Sequence, residues 1–227
     1  MDEDRIYFER KLPHYQPAEA TYFITFRLAN SLPAEVVERL KEERKKELTA
    51  VGQDAILSYK TQKKYFGKYD EYLDRVSHGP KWLSNDKVSK IVSESLHYWD
   101  GKRYTLICYC IMPNHVHLVI EMLNNVVRQS GNLSNKTSGQ FDKLSYVLSP
   151  IMHSIKRYTA REANAILNRT GAFWQHESYD HVVRNGEELE RIIWYVLNNP
   201  VKAGLVEDWQ QWKWTYIKRE IFEDAIR

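Results

Sequence analysis

The chain has 227 residues, of which 43% are hydrophobic and 28% charged, and its formal net charge is +3 at pH 7. This length fits one domain with enough apolar core to fold alone, and the small charge is only a weak indicator of nucleic-acid binding. No apolar run approaches the ~20 residues that span a bilayer, and no apolar signal segment follows the charged residues 1–5. The two cysteines lie two apart on a predicted strand and are expected to stay reduced. We therefore expect a cytoplasmic protein without membrane contact.

Apolar periodicity and turn residues predict a regular succession of elements. In chain order they are a strand at 22–28, a helix at 32–49, an insertion at about 52–80 with a second helix, a helix at 84–99, a hairpin at 104–120, a flexible loop at about 124–140, a helix at 144–167, a strand at 173–184 and a helix that ends before Pro200. This order predicts a ferredoxin-like α+β fold, with an antiparallel sheet and helices on one face. We expect one domain over residues 1–227.

Two histidines lie two residues apart in the predicted hairpin. Side chains two apart in a strand point to the same face, so His115 and His117 project together while Val116 points to the other face. Two neighbouring imidazoles supply half of a divalent-metal site. A lone pair of this kind is more often a surface or structural feature, and a second element is needed to favour a metal.

The helix before Pro200 provides a candidate for that second element. Asn185, followed three residues later by Glu188, is a variant of the capping-box signal for a helix start. Tyr195 and Asn199 are four apart and lie one turn from each other. Aimed at the histidines, they would place a nucleophile beside a third metal ligand. Spacing alone leaves this a guess, because the chain has fifteen tyrosines and a tyrosine on such a helix is usually part of the core.

Three blocks resemble one known family, in the right order. Residues 110–119 resemble the histidine–hydrophobe–histidine motif of the HUH endonucleases, and more narrowly the Met-Pro-Asn-His-Val-His version of the REP-associated tyrosine transposases. Residues 171–185 are similar to that family's Trp-Gln and Tyr-Asp-His-x-x-Arg stretch. Residues 195–206 are similar to its Tyr-Ile-x-x-Asn-Pro-Val-Lys-Ala-Gly-Leu segment. The likeness spans roughly residues 104–206, whereas residues 31–102 match nothing in the family beyond a connecting helix.

The resemblance implies the HUH endonuclease fold and a single-tyrosine DNA transposase or nickase. His115 and His117 would bind Mg²⁺ or Mn²⁺, and Tyr195 would be the nucleophile. Asn199 would complete the metal site, although some relatives carry Gln there and the shorter Asn side chain requires a closer helix. The implied partner is single-stranded DNA, folded into a hairpin from a repeat, and the implied oligomeric state is a monomer or a homodimer.

The implied chemistry is an attack of the Tyr195 phenolate on a phosphodiester, which gives a 5′-phosphotyrosine and a free 3′-hydroxyl. A metal ion polarises the phosphate and offsets the charge on its oxygens. Because an unperturbed tyrosine has a pKa of about 10, the phenol needs the metal, a base or a nearby cation such as Arg191. Imidazole ligands alone would suit Zn²⁺ equally, so the preference for Mg²⁺ or Mn²⁺ rests on the family.

Basic and aromatic side chains near this site are the expected DNA contacts. They are Lys156, Arg157, Arg161, Trp174, Gln175, His181 and Arg184. A charged helix face is more often simply solvated, and most aromatic side chains are core. Asp180 is a candidate partner for a metal-bound imidazole.

Several alternatives stay open on the sequence alone. Tyr158 has Glu162 one turn away and is a competing nucleophile. A non-catalytic, repressor-like nucleic-acid binder on the same scaffold would keep the same motifs. A zinc hydrolase that uses His115 and His117 would need a third strong ligand and a general base.

Overall fold

The computed structural model describes residues 20–51, 55–75, 78–123 and 142–221. Its strands are β1 (Thr21–Leu28), β2 (Tyr104–Ile111), β3 (His115–Met122), β4 (Trp174–Val182) and β5 (Thr215–Ile217). Its helices are α1 (Ala34–Val51), α2 (Ala55–Asp74), α3 (Asp86–Trp99), α4 (Asp142–Ile166), α5 (Gly186–Leu197) and α6 (Asn199–Lys202). None of the helices in these ranges is long and apolar enough to cross a membrane.

The five strands form one antiparallel sheet with the order β4-β1-β3-β2-β5. The path β1-α3-β2-β3-α4-β4 is the βαββαβ order of a ferredoxin-like fold, so the predicted fold class is confirmed. Two additions extend this plan: α1 and α2 are inserted between β1 and α3, and β5 lengthens the sheet beyond β2. The flexible loop expected at about 124–140 lies outside the described residues.

Helices cover both faces of the sheet. Side chains alternate along β1, so Ile24 and Phe26 pack in the core formed with α3 and α4. Phe23 points the other way and contacts Phe66 of α2 and Tyr195 of α5. We call these two sides the α3/α4 face and the α5 face. The expectation of helices on one face holds for α3 and α4. The second face is covered as well, and as a consequence β2 and β3 are buried along almost their whole length.

A capping interaction sets the start of α5. Asn185 Oδ1 accepts a hydrogen bond from the backbone N–H of Glu188 at 2.8 Å. The Glu188 carboxylate reaches back and accepts from the backbone N–H of Arg184 at 3.0 Å. Such a cap satisfies N–H groups that have no partner inside the helix, and the predicted helix start is confirmed.

The end of α5 differs from the expectation of one continuous helix up to Pro200. α5 ends at Leu197, and the short helix α6 begins at Asn199 with Pro200 in its first turn. Proline has no N–H to continue the hydrogen bonds of the preceding helix. Tyr195 and Asn199 therefore belong to two successive helices.

Candidate metal centre

His115 and His117 lie side by side on the α5 face, at the start of β3. β3 is the central strand of the five and pairs with β1 and β2. Both side chains are fully buried, and their Nε2 atoms are 3.0 Å apart. Two atoms that each lie about 2.1 Å from one ion, at a right angle, are about 3 Å apart. The pair therefore fits two neighbouring ligands of a single metal ion.

Each histidine has a fixed partner at its Nδ1 atom. Thr25 Oγ1 lies 2.7 Å from Nδ1 of His117, and Asn114 Oδ1 lies 2.7 Å from Nδ1 of His115. The Asn114 amide is oriented because its Nδ2 donates to the backbone oxygen of Leu73 in α2 at 3.1 Å. Since an amide oxygen only accepts, His115 carries its proton on Nδ1. Its Nε2 lone pair is then available to a metal.

Two carboxylates of α2 approach the same point. Asp70 Oδ1 lies 3.3 Å from Nε2 of His117, and Asp74 Oδ1 lies 3.9 Å from Nε2 of His115. One ligand atom from each of these four residues lies within 4.8 Å of the others. The sequence reasoning missed both aspartates, because α2 lies in the region without a recognised motif. The available signal was their four-residue spacing on a predicted helix, which is common on solvated faces as well.

Burial and neighbouring charges set the electrostatics of the cluster. Burial, and secondarily the charge of His117, lowers the pKa of His115 to about 3, which keeps its imidazole neutral. Burial and repulsion from Asp70 raise the pKa of Asp74. Lys202 Nζ lies 2.7 Å from Asp74 Oδ2. Burial acts to lower the pKa of Lys202, but the ion pair with Asp74 outweighs it and the pKa is raised. One ammonium thus faces two carboxylates.

Tyr195 lies beside the histidine pair. Its ring centroid is 5.5 Å from that of His117 and 5.9 Å from that of Phe23. Lys202 Nζ lies 5.6 Å from the centre of the Tyr195 ring. Arg191, the cation named from the sequence, lies on the solvent side of α5 and pairs with Glu187 at 3.9 Å. The structure thus places Lys202 rather than Arg191 in contact with this tyrosine.

Asn199 is buried without a hydrogen-bond partner. Its side chain has no exposed surface, and neither its oxygen nor its nitrogen forms a hydrogen bond within the part of the chain that the structure describes. Buried amides nearly always have partners, so an orphaned one needs an explanation. It lies three residues before Lys202 in α6, and an amide oxygen is a ligand that Mg²⁺ and Mn²⁺ accept.

Lys156 and Trp174, two of the expected DNA contacts, are occupied inside the protein. The Lys156 ammonium donates to two β4 backbone oxygens at 2.8 and 3.0 Å and to Ser178 Oγ at 2.9 Å. Burial lowers the pKa of Lys156 to about 8. Trp174 is only 7% exposed, and its indole N–H donates to Thr159 Oγ1 at 2.9 Å. In this structure both side chains link α4 to β4 through hydrogen bonds, and their contact with DNA stays a prediction.

The other expected DNA contacts vary in exposure. His181 is partly buried, with its Nε2 3.2 Å from Glu188 Oε1. Arg157, Arg161 and Arg184 are exposed, and Gln175 is half-buried. A cleft of about 1370 Å³ runs between the α1–α2 side and the α4–β4 side of the molecule. Its lining includes Arg27, Lys41, Arg44, Arg157, Gln175 and Asp70. One end of this cleft therefore reaches the metal cluster.

Two sequence-based alternatives lie on the opposite side of the sheet. Tyr158 belongs to α4, which packs on the α3/α4 face, and it is exposed beside Arg161. Asp180 pairs with Ile24, whose side chain points to the α3/α4 face. Because paired residues of neighbouring strands point to the same face, Asp180 points away from the histidines. Their Nδ1 partners are Thr25 and Asn114 instead.

No protein-family model matches the chain. A protein of Haemophilus influenzae named as a REP-associated tyrosine transposase is 21% identical over 119 residues, which cover 52% of this chain and 61% of the relative. The chain thus spans about three fifths of the length of that curated relative. Over about half of its length, the chain is thus similar to a protein named as a REP-associated tyrosine transposase. This likeness confirms the resemblance recognised from the three motif blocks.

A solved structure of a REP-associated tyrosine transposase bound to a REP hairpin also resembles the chain. The two share 13% sequence identity with a TM-score of 0.49, and the match covers 99% of this chain and 88% of the other.

Proposed function

We propose that the chain is a metal-dependent endonuclease and strand transferase for single-stranded DNA, with Tyr195 as its nucleophile. The observation that carries the proposal is the contact of the Tyr195 ring with His117, whose Nε2 lies beside that of His115. The kinship with tyrosine transposases supports the reaction class. The association with REP repeats in the name of the similar Haemophilus influenzae protein supports hairpin-forming repeat DNA as the substrate.

The proposed cleavage exchanges one phosphate ester for another. Tyr195 Oη loses its proton and forms a bond to phosphorus, while the bond from phosphorus to the 3′-oxygen of the DNA breaks. The departing 3′-oxygen takes up a proton and becomes a free 3′-hydroxyl. The phosphate then links Tyr195 to the 5′-oxygen of the other DNA segment. Attack by another 3′-hydroxyl reverses these changes and joins a new strand. No external energy source is needed, because the covalent bond to Tyr195 keeps the energy of the broken linkage.

Other residues of the chain would bind the metal, stabilise the phenolate and position the Tyr195 ring. His115, His117 and Asn199 would hold Mg²⁺ or Mn²⁺, which when bound supplies positive charge to the phosphate oxygens. Lys202 stays protonated because of its ion pair with Asp74, and its ammonium beside the Tyr195 ring favours the phenolate. Phe23 packs against both Tyr195 and His117, which holds the two rings in one relative position.

Access to the centre requires a movement. His115, His117 and Asn199 have no exposed surface, so a phosphodiester cannot reach them in the conformation described here. α2 lies over the histidines through Asp70 and Asp74, which makes a shift of α2 the most direct opening. Such local opening is typical of elements that gate active sites.

The test is a denaturing gel of chelator-treated protein mixed with a labelled single-stranded DNA hairpin and Mn²⁺. We expect a protein-linked DNA band with the wild type and with the matched control Tyr158→Phe, and no band with Tyr195→Phe or without metal. A band that persists in Tyr195→Phe would move the nucleophile elsewhere. Binding of the repeat hairpin that the chain recognises, without any covalent band, would instead favour the repressor-like binder.

A further inference from the structure

We propose that Asp70 and Asp74 of the inserted helix α2 bind the same divalent cation as His115 and His117, so that the insertion supplies the carboxylate half of the metal centre. The inference deepens the proposed function and rests on the metal that this function requires. It gives a role to a segment that carries no recognised motif.

The placement of the four side chains supports a shared ion. Asp70 Oδ1 and Asp74 Oδ1 each face an Nε2 atom, at 3.3 and 3.9 Å, and the ligand atoms of all four residues gather within 4.8 Å. The four-residue spacing on α2 presents both carboxylates on one side of the helix, just as the two-residue spacing on β3 presents both imidazoles on one side of the sheet. The two elements meet at the point where their paired side chains converge.

The hydrogen bonds around the cluster leave potential ligand atoms directed at the point where the four side chains converge. Both histidines use Nδ1 for Thr25 and Asn114, which keeps their Nε2 atoms turned inward. Apart from the 3.3 Å approach of Asp70 Oδ1 to His117 Nε2, the oxygens of Asp70 and both polar atoms of Asn199 have no hydrogen bond among the described residues. Asp74 keeps one ion pair, from its Oδ2 to Lys202 Nζ at 2.7 Å, which leaves its Oδ1 without a donor. These groups are almost completely buried, Asp70 being 1% and Asp74 6% exposed. Buried carboxylate oxygens that gather with too few donors are expected where a cation binds.

Charge leads to the same conclusion. Ionised Asp70 and Asp74 carry two negative charges, and Lys202 is the ammonium that offsets one of them, through Asp74 Oδ2. A buried charge without compensation is costly. A divalent cation at the convergence point would offset the remainder while Lys202 keeps its own contact. Two carboxylates also change the preference of the centre, since oxygen ligands favour Mg²⁺ and Mn²⁺ more than imidazoles alone do.

A backbone contact ties α2 to the histidines as well. Leu73, which lies between the two aspartates in the chain, accepts the Asn114 amide hydrogen bond that orients His115. The docked position of α2 therefore helps to orient His115, through Asn114. Metal binding should stabilise the docked position of α2, because a ligand that binds only one conformation stabilises that conformation.

The experiment is a calorimetric titration of chelator-treated protein with Mn²⁺ in the absence of DNA. We expect Asp70→Asn to weaken Mn²⁺ binding at least tenfold and Asp74→Asn to weaken it less, because Lys202 already occupies one oxygen of Asp74. The matched control is Glu71→Gln, which changes an exposed carboxylate on the same helix that pairs with Arg75. It should bind Mn²⁺ like the wild type. Circular dichroism checks that each variant is folded.

A second variant separates metal binding from a merely structural role. Asp70→Cys replaces a hard oxygen ligand with a soft thiolate, so the ratio of Cd²⁺ to Mn²⁺ affinity should rise at least tenfold over the wild type. Wild-type affinity for Mn²⁺ in Asp70→Asn, or an unchanged ratio in Asp70→Cys, would overturn the inference, as would a wild-type protein that binds no Mn²⁺. Tyr195 takes no part in this titration, so a missing covalent DNA band would overturn the proposed function alone.

Discussion

The two halves of the candidate metal centre reach it by different routes. The histidine half belongs to β3, which is hydrogen-bonded on both sides within the sheet. The aspartate half belongs to α2, which is attached to the rest of the domain through side-chain contacts. Examples are the stacking of Phe66 on Tyr179 of β4, with ring centroids 3.8 Å apart, and the ion pair of Lys63 with Glu188 of α5 at 3.5 Å. The first half is fixed whenever the domain is folded. The second half depends on the docking of α2, so we expect it to be the part that opens.

The largest effect is expected from the fixed half. His117→Ala removes an Nε2 atom from the cluster and the Thr25 hydrogen bond that orients it, so Mn²⁺ affinity should fall by about two orders of magnitude or more. Calorimetric titration measures this loss. His78→Ala, which changes an exposed histidine, serves as the control. Retained Mn²⁺ affinity in His117→Ala would remove the histidine pair from the metal centre altogether.

The link between the two halves should give the next largest effect. Asn114→Ala removes both the acceptor for His115 and the donor to Leu73. Groups that orient a metal ligand typically change metal affinity by about 10- to 100-fold, and we expect a loss in this range. Asn114→Asp keeps the acceptor and loses the donor, so its affinity should lie between those of Asn114→Ala and the wild type. Equal Mn²⁺ affinity in all three proteins would show that Asn114 does not couple α2 to the histidine pair.

Hydrogen exchange can compare the two halves directly. Amides of β3 should exchange only on global unfolding, whereas amides of α2 should exchange faster through local opening. Added Mn²⁺ should slow exchange in α2 more than in β3, and a chelator should reverse the change. Mass spectrometry of peptides from the two segments measures both rates. Equal slowing in α2 and β3 would show that α2 does not move independently.

The smallest effect concerns the docking of α2 itself. Phe66→Leu removes the stacking on Tyr179 and the edge contact with Phe23, and each aromatic pair contributes roughly 0.5–1.5 kcal/mol. We expect a decrease of about 1–2 kcal/mol in the free energy of unfolding, measured by urea titration. Tyr72→Phe removes an exposed hydrogen bond from Arg39 to α2 and should change stability by less than about 0.5 kcal/mol.

The sequence by itself determined the features that depend on neighbours along the chain. Strand alternation put His115 and His117 on one face, and the Asn185 cap fixed the start of α5. The order of the elements predicted the ferredoxin-like sheet, because short connections leave few ways to arrange βαββαβ. The motif blocks pointed to a resemblance to the REP-associated tyrosine transposases before any contact was known.

Only the tertiary structure decided which distant residues meet. Asp70 and Asp74 join the histidines from more than forty positions away, and their spacing alone does not distinguish a ligand pair from a solvated helix face. Lys156 and Trp174 have residue types that suit DNA contact, yet both form hydrogen bonds between α4 and β4, Lys156 to Ser178 and Trp174 to Thr159. Local period and capping act between neighbouring residues and can be read from sequence. The folding of the insertion back over β3 depends on long-range packing, which sets no repeating pattern in the chain.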